Sequence, residues 1–461
     1  MSTTLRVGIL GAPNNIQTTF LPTLASLPNI YKLTAIYDQN DSVAKSTQKK
    51  FNIPTITKSA HDLISHADVD LVLNLLPFEY HEQFTVASLE AGKHVMVEVP
   101  LSLSIHGLRR IRAATQKGTM NTTTNTPPKV FVGCARRYAP CFTDLFKKEL
   151  ATLDRIYYAR CRNIAGPLHI PRTNSVTNGD MNGNGHINGN GYSNGHANGN
   201  GTGISNGNGT TSASTNTNTR LQAEAQANGI TSLPSQKQFQ TLLSDIFGST
   251  DDLTPDRIAF CRFLGNLGCH DLSLMRESLG FPDAVANVAI TDPFYSAIFH
   301  YTSSKASGPA SGNADPNSDG HPFTVLYETG VDSVPRCDAH LTVYGAQKTI
   351  SVEYDFPCLA MSEEDGVTGS VKVVVEEVES KVDNGGRPRV KRTEAVSSAG
   401  EAYEREFLAM HDYLVGDGAG VNGCGVEAKT TANDALMDLR LLHMIFEHYD
   451  RQCGTIRTPL G

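Results

Sequence analysis

The first 118 residues alternate short apolar segments with longer amphipathic ones. Apolar segments rich in β-branched residues lie at 5–10, 32–38, 70–77 and 94–99, and helical patterns lie at 16–27, 42–51 and 79–92. Parallel strands need a crossover connection, usually a helix, and strands buried on both faces are continuously apolar. The alternation therefore predicts an α/β fold whose N-terminal domain is a parallel sheet covered on both faces.

A polar, Pro-containing break at 121–129 precedes a second region. Its strand patterns lie at 130–138, 155–162, 284–290, 295–301, 323–329, 339–345, 348–354 and 371–378, with helical patterns at 140–150, 238–247, 260–280, 403–416 and 430–450. Several strands alternate apolar and polar residues, which suits an antiparallel sheet with one covered face. We predict an α/β nucleotide-type domain at 1–128 and a C-terminal α+β domain at 129–461, with an open, mostly antiparallel sheet.

Asn-Gly repeats interrupt the second region, as in NGNGHINGNGYSNGHANGNG. Such a segment cannot bury enough apolar surface to offset its ordering entropy. It predicts a disordered insertion at 173–232, in which His186 and His196 are solvated side chains rather than metal ligands.

Composition narrows the function. The 461 residues carry a net charge of −8, which disfavours nucleic-acid binding because no basic excess neutralises phosphates. No apolar run is long enough to span a bilayer, and MSTTLRVGIL lacks a signal-peptide pattern, so we expect a cytoplasmic protein. Nine cysteines without a C-x-x-C spacing indicate free thiols rather than a metal site or disulfides.

The first strand ends in GILGAPNNIQ, where a dinucleotide fingerprint would read G-x-G-x-x-G. Gly11 is present, but Pro13 and Ile16 replace the other glycines. Ala12, Asn14 and Asn15 can still expose backbone donors, so this is either a retained phosphate loop or a structural turn.

The other predicted strand ends also carry polar residues. Asp38 can accept both hydroxyls of an adenosine ribose and repel a 2′-phosphate, or it can cap a helix. Asn74, Pro77 and His81 follow the third long strand, and Glu98 and Val99 follow the fourth. Ligands bind at this edge of an open parallel sheet, so these residues are the predicted cofactor contacts.

Four segments resemble the Gfo/Idh/MocA oxidoreductases. They are EAGKHVMVEVPLSLSI, GNLGCHDLSLMRESLG, YGAQKTISVEYDFP and the two C-terminal helices. The resemblance implies that 1–128 is a dinucleotide-binding Rossmann domain and that 129–461 is a substrate and oligomerisation domain. It also implies a nicotinamide cofactor and reversible hydride transfer at a carbinol carbon. The long insertion suggests a fungal-type member, and the family's assembly implies a homodimer or larger homo-oligomer.

The resemblance also shows what the chain lacks. The family's Glu-Lys-Pro reads Glu98, Val99, Pro here, so the proton-transferring lysine is absent. The family's Asp and His, four residues apart on one helix, correspond to Asn266 and His270. We predict His270, Asn266 and Tyr157 as catalytic. Arg136 and Arg137, which follow a strand near the cleft, are predicted to bind substrate.

Three functions remain open from the sequence. The first is an NAD(P)-dependent oxidoreductase acting on a small sugar-like molecule or secondary metabolite, with NAD favoured by Asp38, although Lys45, Lys49 and Lys50 leave NADP open. The second is a redox-neutral enzyme, and the third is a non-catalytic ligand-sensing regulator. Both of these are consistent with valine at position 99.

Overall fold

The computed structural model describes residues 3–13, 16–166, 233–248, 253–302, 321–332, 334, 337–355, 369–382, 388–416 and 428–455. All of these residues belong to one unit, Met1–His169 with Leu233–Gly461. The predicted disordered insertion at 173–232 and the loop residues Asn14 and Asn15 lie outside the described residues.

The N-terminal sheet has six parallel strands in the order β3-β2-β1-β4-β5-β6. They are β1 Leu5–Leu10, β2 Tyr31–Tyr37, β3 Thr55–Ile56, β4 Leu71–Asn74, β5 His94–Glu98 and β6 Val130–Gly133. All four residues of β4 and of β6 are buried, as continuous apolar strands covered on both faces require. This strand order is that of the Rossmann fold, so the predicted fold class is confirmed.

Five helices accompany this sheet. They are α1 Leu21–Ala25, α2 Asp41–Phe51, α3 Ala60–Ile64, α4 His81–Glu90 and α5 Ile105–Lys117, with a π-helical turn at Ile16–Phe20 and a 3₁₀ turn at Phe78–Tyr80. Side chains of Asn40, Ser59 and Ser104 accept backbone N–H groups at the starts of α2, α3 and α5. Gly92, predicted to stop α4, has a φ of +74°.

The second sheet has eight strands in the order β14-β13-β12-β11-β7-β10-β9-β8. They are β7 Tyr158–Ala165, β8 Ala284–Thr291, β9 Phe294–Tyr301, β10 Phe323–Val331, β11 Cys337–Tyr344, β12 Lys348–Tyr354, β13 Ser370–Val382 and β14 Pro388–Ser398. Only β7 and β10 pair in parallel. Burial alternates along β7, so one sheet face is covered and the other is open, as predicted.

The remaining helices cover the second sheet and join it to the first. They are α6 Lys147–Leu150, α7 Leu233–Phe247, α8 Pro255–Phe263, α9 Cys269–Leu279, α10 Ala399–Val415 and α11 Ala432–Thr455, with π-helical turns at Phe142–Phe146 and Leu264–Gly268. The turn at Leu264–Gly268 divides the helix predicted at 260–280. No helix among the described residues is long and apolar enough to cross a membrane.

Helix α10 packs against the N-terminal sheet. The ring centroids of Phe20 and Phe407 lie 4.8 Å apart, and the hydroxyl of Tyr31 on β2 donates to the carbonyl oxygen of Phe407 at 2.7 Å. These contacts place the preceding residue of α10, Glu406, beside the carboxyl end of β6, where it accepts the Cys134 N–H. The division of the chain at residue 128 stays a prediction; β6, which completes the parallel sheet, follows it.

Candidate functional site

The candidate site lies at the carboxyl edge of the six-stranded sheet. Gly11, Asp38, Asn74 and Glu98 stand at the ends of β1, β2, β4 and β5, which are neighbours in the sheet. Because parallel strands end at the same edge, the fold brings these four predicted residues to one side of the sheet. The chain reverses its order between β1 and β4, which is where ligands bind in open α/β sheets.

The loop after β1 is held against the end of β2. Gly11 has a φ of +82°, and a Cβ atom there would lie 3.1 Å from the Leu75 carbonyl oxygen. The Ala12 N–H donates to Asp38 Oδ2 at 2.8 Å, and the Asn40 N–H donates to Asp38 Oδ1 at 2.8 Å. An ionised carboxylate has about four acceptor positions, so two remain for ribose hydroxyls.

The end of β4 is tied to the loop that follows β5. Asn74 is fully buried and its Nδ2 donates to the His81 carbonyl oxygen at 3.0 Å. The ring of His81 lies between two carbonyl oxygens, with Nδ1 2.8 Å from Pro100 and Nε2 2.8 Å from Leu76. Burial lowers the pKa of His81. Both ring nitrogens therefore face the protein backbone, and the ring fixes the two loops relative to each other.

Val99 is packed in an apolar cluster, and its side chain has no group that could transfer a proton. Its side chain is 4% exposed and contacts a core that includes Leu101 and Cys269. The thiol of Cys269 donates to the Val99 carbonyl oxygen at 3.6 Å. Glu98, the preceding residue, is half-buried, and burial raises its pKa to about 7. Glu98 is thus the acid at this strand end, and its pKa lies near neutrality.

His270 and Asn266 have different surroundings despite their spacing of four. Asn266 is exposed on the π-helical turn, whereas His270 is 8% exposed on α9. Burial, with the nearby charge of Arg136, lowers the pKa of His270 to about 3. The imidazole is therefore neutral at pH 7 and is a weak base.

Arg136 forms a buried ion pair next to His270. Its Nη1 lies 2.7 Å from Oδ1 of Asp271, and its guanidinium stacks on the ring of Tyr354 at 4.1 Å from the centroid. Asn163 on β7 donates to both oxygens of Asp271, at 3.1 and 2.9 Å. The Arg136 side chain is 1% exposed, and its guanidinium pairs with the internal carboxylate of Asp271.

Arg137, the other arginine predicted to bind substrate, joins a network between three elements. Its guanidinium pairs with Glu277 on α9 and Asp434 on α11. Arg276, Lys147 and Lys429 extend the network. Burial opposes ionisation of Glu277, but the charges of Arg137, Lys429 and Lys147 outweigh it and lower the pKa of Glu277 to about 2. At 3% exposure, the Arg137 side chain is also engaged by internal carboxylates.

The structure does not bring Tyr157 to the other predicted residues. Its side chain is 50% exposed and lies under the guanidinium of Arg155. Asn163, which contacts Asp271 beside His270, is six residues further along the extended chain, about 20 Å away. Tyr157 therefore lies at the opposite end of β7 from His270.

Comparison with known proteins supports the assignment of the first domain. Residues 5–124 match the oxidoreductase family with an NAD-binding Rossmann fold, Gfo/Idh/MocA. This segment is therefore similar to the Rossmann domain of that family. The match includes Gly11, Asp38, Asn74 and Glu98, and it ends before the second sheet.

Curated relatives align over part of their length. An inositol 2-dehydrogenase 2 of Saccharopolyspora erythraea is 25% identical over 142 residues, 31% of this chain and 40% of the relative. A glycosyl hydrolase family 109 protein of Shewanella sp. strain W3-18-1 is 43% identical over 47 residues, 10% of each chain. The chain thus spans 10% to 40% of the length of these relatives.

Solved structures share the fold over nearly the whole chain. A Thermotoga maritima oxidoreductase has 15% identity and a TM-score of 0.54, covering 96% of this chain and 97% of its own. A 3-ketoreductase from Actinomadura kijaniata, solved with NADP and TDP-benzene, has 13% identity and a TM-score of 0.54, covering 95% of each chain. These likenesses show that the chain shares the overall fold of these structures.

The residues at the Rossmann edge fit a dinucleotide. Gly11 leaves room where a side chain would meet the Leu75 carbonyl oxygen, and Asp38 keeps acceptor positions for a ribose. No group of three or more His, Cys, Asp or Glu side chains in the described part of the chain could hold a metal ion. The six cysteines whose side chains the structure describes are free thiols, and five of them are buried.

The sequence analysis missed three residues next to the site. Asp271 and Asn163 form the buried cluster with Arg136, and Glu406 reaches the end of β6 from α10. A signal existed for Glu406. It occupies the same helix face as the buried residues Ala402 and Met410, where an acid is unexpected.

Proposed function

We propose that the protein is an NAD(P)-dependent oxidoreductase that transfers hydride to or from a carbinol or carbonyl carbon of a small molecule, sugar-like or a secondary metabolite. The observation that carries this proposal is Asp38, which accepts the Ala12 N–H and retains acceptor positions at the end of β2. The family match over residues 5–124 supports it.

Gly11, Ala12, Asn14, Asn15 and Asp38 would hold the adenosine half of the cofactor. The second half would lie over the ends of β4 and β5, against Asn74, Pro77, His81, Glu98 and Val99. A bound nicotinamide would supply the hydride acceptor or donor. Asp38 favours NAD, because its carboxylate accepts ribose hydroxyls and repels a 2′-phosphate. Lys50, one of three nearby lysines, already donates to the Gln17 carbonyl oxygen at 3.2 Å.

His270 is the side chain we propose for contact with substrate. Its neutral ring can donate one hydrogen bond and accept another, which suits orientation of a hydroxyl. A pKa of about 3 makes it a poor proton store at neutral pH. Asn266, exposed on the preceding turn, is the amide proposed to assist it.

Direct titration of NADH and NADPH, followed by reduced-cofactor fluorescence, tests the proposal. The chain has no Trp, so protein emission interferes little. Saturable binding with NADH tighter than NADPH is expected. A substrate screen would follow, in which His270→Ala loses turnover and His106→Ala, an exposed position on α5, keeps it. Failure of both cofactors to bind would overturn the proposal.

A redox-neutral reaction is the second candidate, with a ligand-sensing regulator as a further alternative. The buried valine at position 99 favours both, because no lysine is available to move a proton. One relative is named a glycosyl hydrolase, and hydrolysis transfers no net hydride. Stoichiometric NADH formation from any substrate would exclude the hydride-free reading, whereas a specific captured partner would support the regulator.

Further proposals concern organisation. We propose domains at 1–128 and 129–461, a cytoplasmic location, a fungal-type member of the family, and a homo-oligomer formed through the open face of the second sheet. Exposed valines on that sheet, including Val390 and Val396 at 61% each, are consistent with a partner surface. Light scattering of the purified chain would determine whether it is a monomer.

A further inference from the structure

Two carboxyl side chains from distant parts of the chain meet at the end of β6. Glu406 lies on α10, and its Oε1 accepts the backbone N–H of Cys134 at 2.6 Å. Glu98 ends β5, and a Cβ atom on Gly133 would lie 2.8 Å from its Oε1. The absence of a side chain at Gly133 therefore makes space for Glu98, and both acids lie against adjacent residues of one strand end.

Within the described part of the chain, neither acid forms an ion pair. Arg136 and Arg137 follow Cys134 after Ala135. Each is paired with another carboxylate, Asp271 for the first and Glu277 with Asp434 for the second. Oε2 of Glu406 is buried without a hydrogen-bond partner among described residues. The pair thus lacks local charge compensation.

The other titratable groups facing the pair are neutral. Tyr403, one turn earlier on α10, and Cys134 both lie beside the two acids, and burial raises the pKa of each. The more distant charge of Arg137 favours ionisation of Glu406, and burial opposes it. The protonation of the pair is therefore decided mainly by burial and by the repulsion between the two carboxyl groups.

Two adjacent carboxyl groups in a buried site cannot both ionise easily, and such a pair titrates as one system. Burial raises the pKa of Glu98 to about 7, and burial with the charge of Glu98 raises the pKa of Glu406 well above its ordinary value. Glu406 is 0% exposed, whereas Glu98 is half-buried. Proton exchange with solvent or a ligand must therefore pass through Glu98.

The pair lies on the half of the sheet that would receive the second nucleotide. A Rossmann sheet consists of two mononucleotide-binding halves, and the dinucleotide extends outside the carboxyl ends of both. Asp38 ends a strand of the first half, and Glu98 ends the middle strand, β5, of the second half, β4-β5-β6. A bound dinucleotide would place its nicotinamide end near Glu98.

We propose that Glu98 and Glu406 share one exchangeable proton and release it to solvent when an oxidised, positively charged nicotinamide dinucleotide binds. This inference rests on the proposed function and adds a proton-holding group to it. The cationic ring favours two ionised carboxylates nearby, whereas the neutral reduced ring does not. The doubly ionised pair can then accept, at Glu98, the proton that a carbinol hydroxyl loses as its carbon gives up hydride.

The pair would thus take over proton transfer, the task of the family's lysine, which is replaced by valine at position 99 in this chain. A base with a pKa near the working pH transfers protons most effectively. Glu98, at about 7, meets this condition, while His270, at about 3, does not. In this arrangement Glu406 is a positioning residue, because its buried carboxyl group sets the proton affinity of Glu98.

The test counts protons released on binding. Calorimetric titration of the full chain with NAD⁺ and with NADH, in phosphate and in Tris at pH 7, gives the number released from the buffer dependence of the heat. We expect up to about one proton on binding NAD⁺ and a clearly smaller number for NADH. Glu98→Gln and Glu406→Gln should each abolish the difference between the two cofactors. Glu404→Gln, an exposed position on the same helix, should retain it.

Infrared spectroscopy gives an independent readout without cofactor. The carbonyl stretch of a protonated carboxylic acid should be present at pH 6 and decline through pH 7, and Glu98→Gln should abolish this decline near pH 7. Equal proton release for NAD⁺ and NADH in the wild type, or an unchanged difference in Glu406→Gln, would overturn the proposal. If neither cofactor binds, proton release fails together with the proposed function, and the infrared band alone then decides whether the shared proton exists.

Discussion

The carboxylate of Asp38 accepts the backbone N–H of Ala12, with 2.8 Å between Oδ2 and the amide nitrogen. This bond connects the ends of β1 and β2 and holds the loop that replaces the usual glycine-rich fingerprint. A second bond, from the Asn40 N–H, fixes the other carboxylate oxygen. Asp38 therefore holds the loop in place, and under the proposed function it is the group that would meet an adenosine ribose.

Asp38→Asn should weaken NADH binding more than NADPH binding. The amide loses the negative charge that favours ribose hydroxyls and repels a 2′-phosphate, and it accepts through only one of its two atoms. We expect NADH affinity to fall about tenfold, which corresponds to about 1.4 kcal/mol. Fluorescence titration of both cofactors measures this. Asp41→Asn, an exposed position in the first turn of α2, is the control and should leave both affinities unchanged.

Much of the fold follows from local pattern. Continuous apolar runs such as Leu71–Asn74 predicted buried parallel strands, and all four residues there are buried. β14, Pro388–Ser398, was not predicted, because most of its side chains are exposed and its strand conformation depends on pairing with β13. The π-helical turn Leu264–Gly268 was also missed, since a single wider turn does not change the apolar periodicity of the flanking helices.

The site was less predictable than the fold because its side-chain directions depend on distant partners. Arg136 pairs with Asp271, 135 residues away, and Arg137 pairs with Asp434, 297 residues away. Sequence alone could place both arginines after a strand but could not decide between an internal carboxylate and a ligand. By contrast, the sequence predicted that residues such as Asp38 lie at strand ends, because the carboxyl edge of a parallel sheet follows directly from strand order.

His270 should make the free energy of unfolding depend on pH below about 6.5. Its folded pKa is about 3, whereas an unfolded histidine has a pKa of about 6.5. Between these values the unfolded chain binds a proton that the folded chain does not, so stability is present above pH 6.5 and is lost as the pH falls. The contribution approaches about 1.4 kcal/mol per pH unit.

Urea unfolding of the wild type and His270→Gln at pH 5, 6, 7 and 8 isolates this term, since other buried histidines titrate equally in both. The difference in unfolding free energy should shift in favour of the variant as the pH falls from 6.5. His106→Gln, an exposed position, should follow the wild type at each pH. A constant difference between wild type and His270→Gln would show that His270 does not titrate as its burial implies.

Arg137→Met should strongly destabilise the protein. The arginine is 3% exposed and pairs with Glu277, which is 6% exposed. Removing one partner leaves a buried charge uncompensated, which costs about 3–5 kcal/mol. Arg405→Met is the control, because its pair with Asp144 is 34% and 52% exposed and contributes about 1 kcal/mol or less. Denaturant titration compares the two variants, and similar losses would contradict a buried network.

Gly11→Ala should disturb the loop for two separable reasons. A φ of +82° is unfavourable for alanine, and the added Cβ would lie 3.1 Å from the Leu75 carbonyl oxygen. Gly248 provides the matched control, because its φ is +75° and nothing lies within 4 Å of an added Cβ. Gly248→Ala should therefore lose about 1–2 kcal/mol from backbone strain alone. Gly11→Ala should lose more and also weaken NADH binding, because Ala12 and its bond to Asp38 follow directly. Equal unfolding free energies for the two variants, with NADH affinity intact, would mean that the loop after β1 has room at Gly11 and does not approach a cofactor.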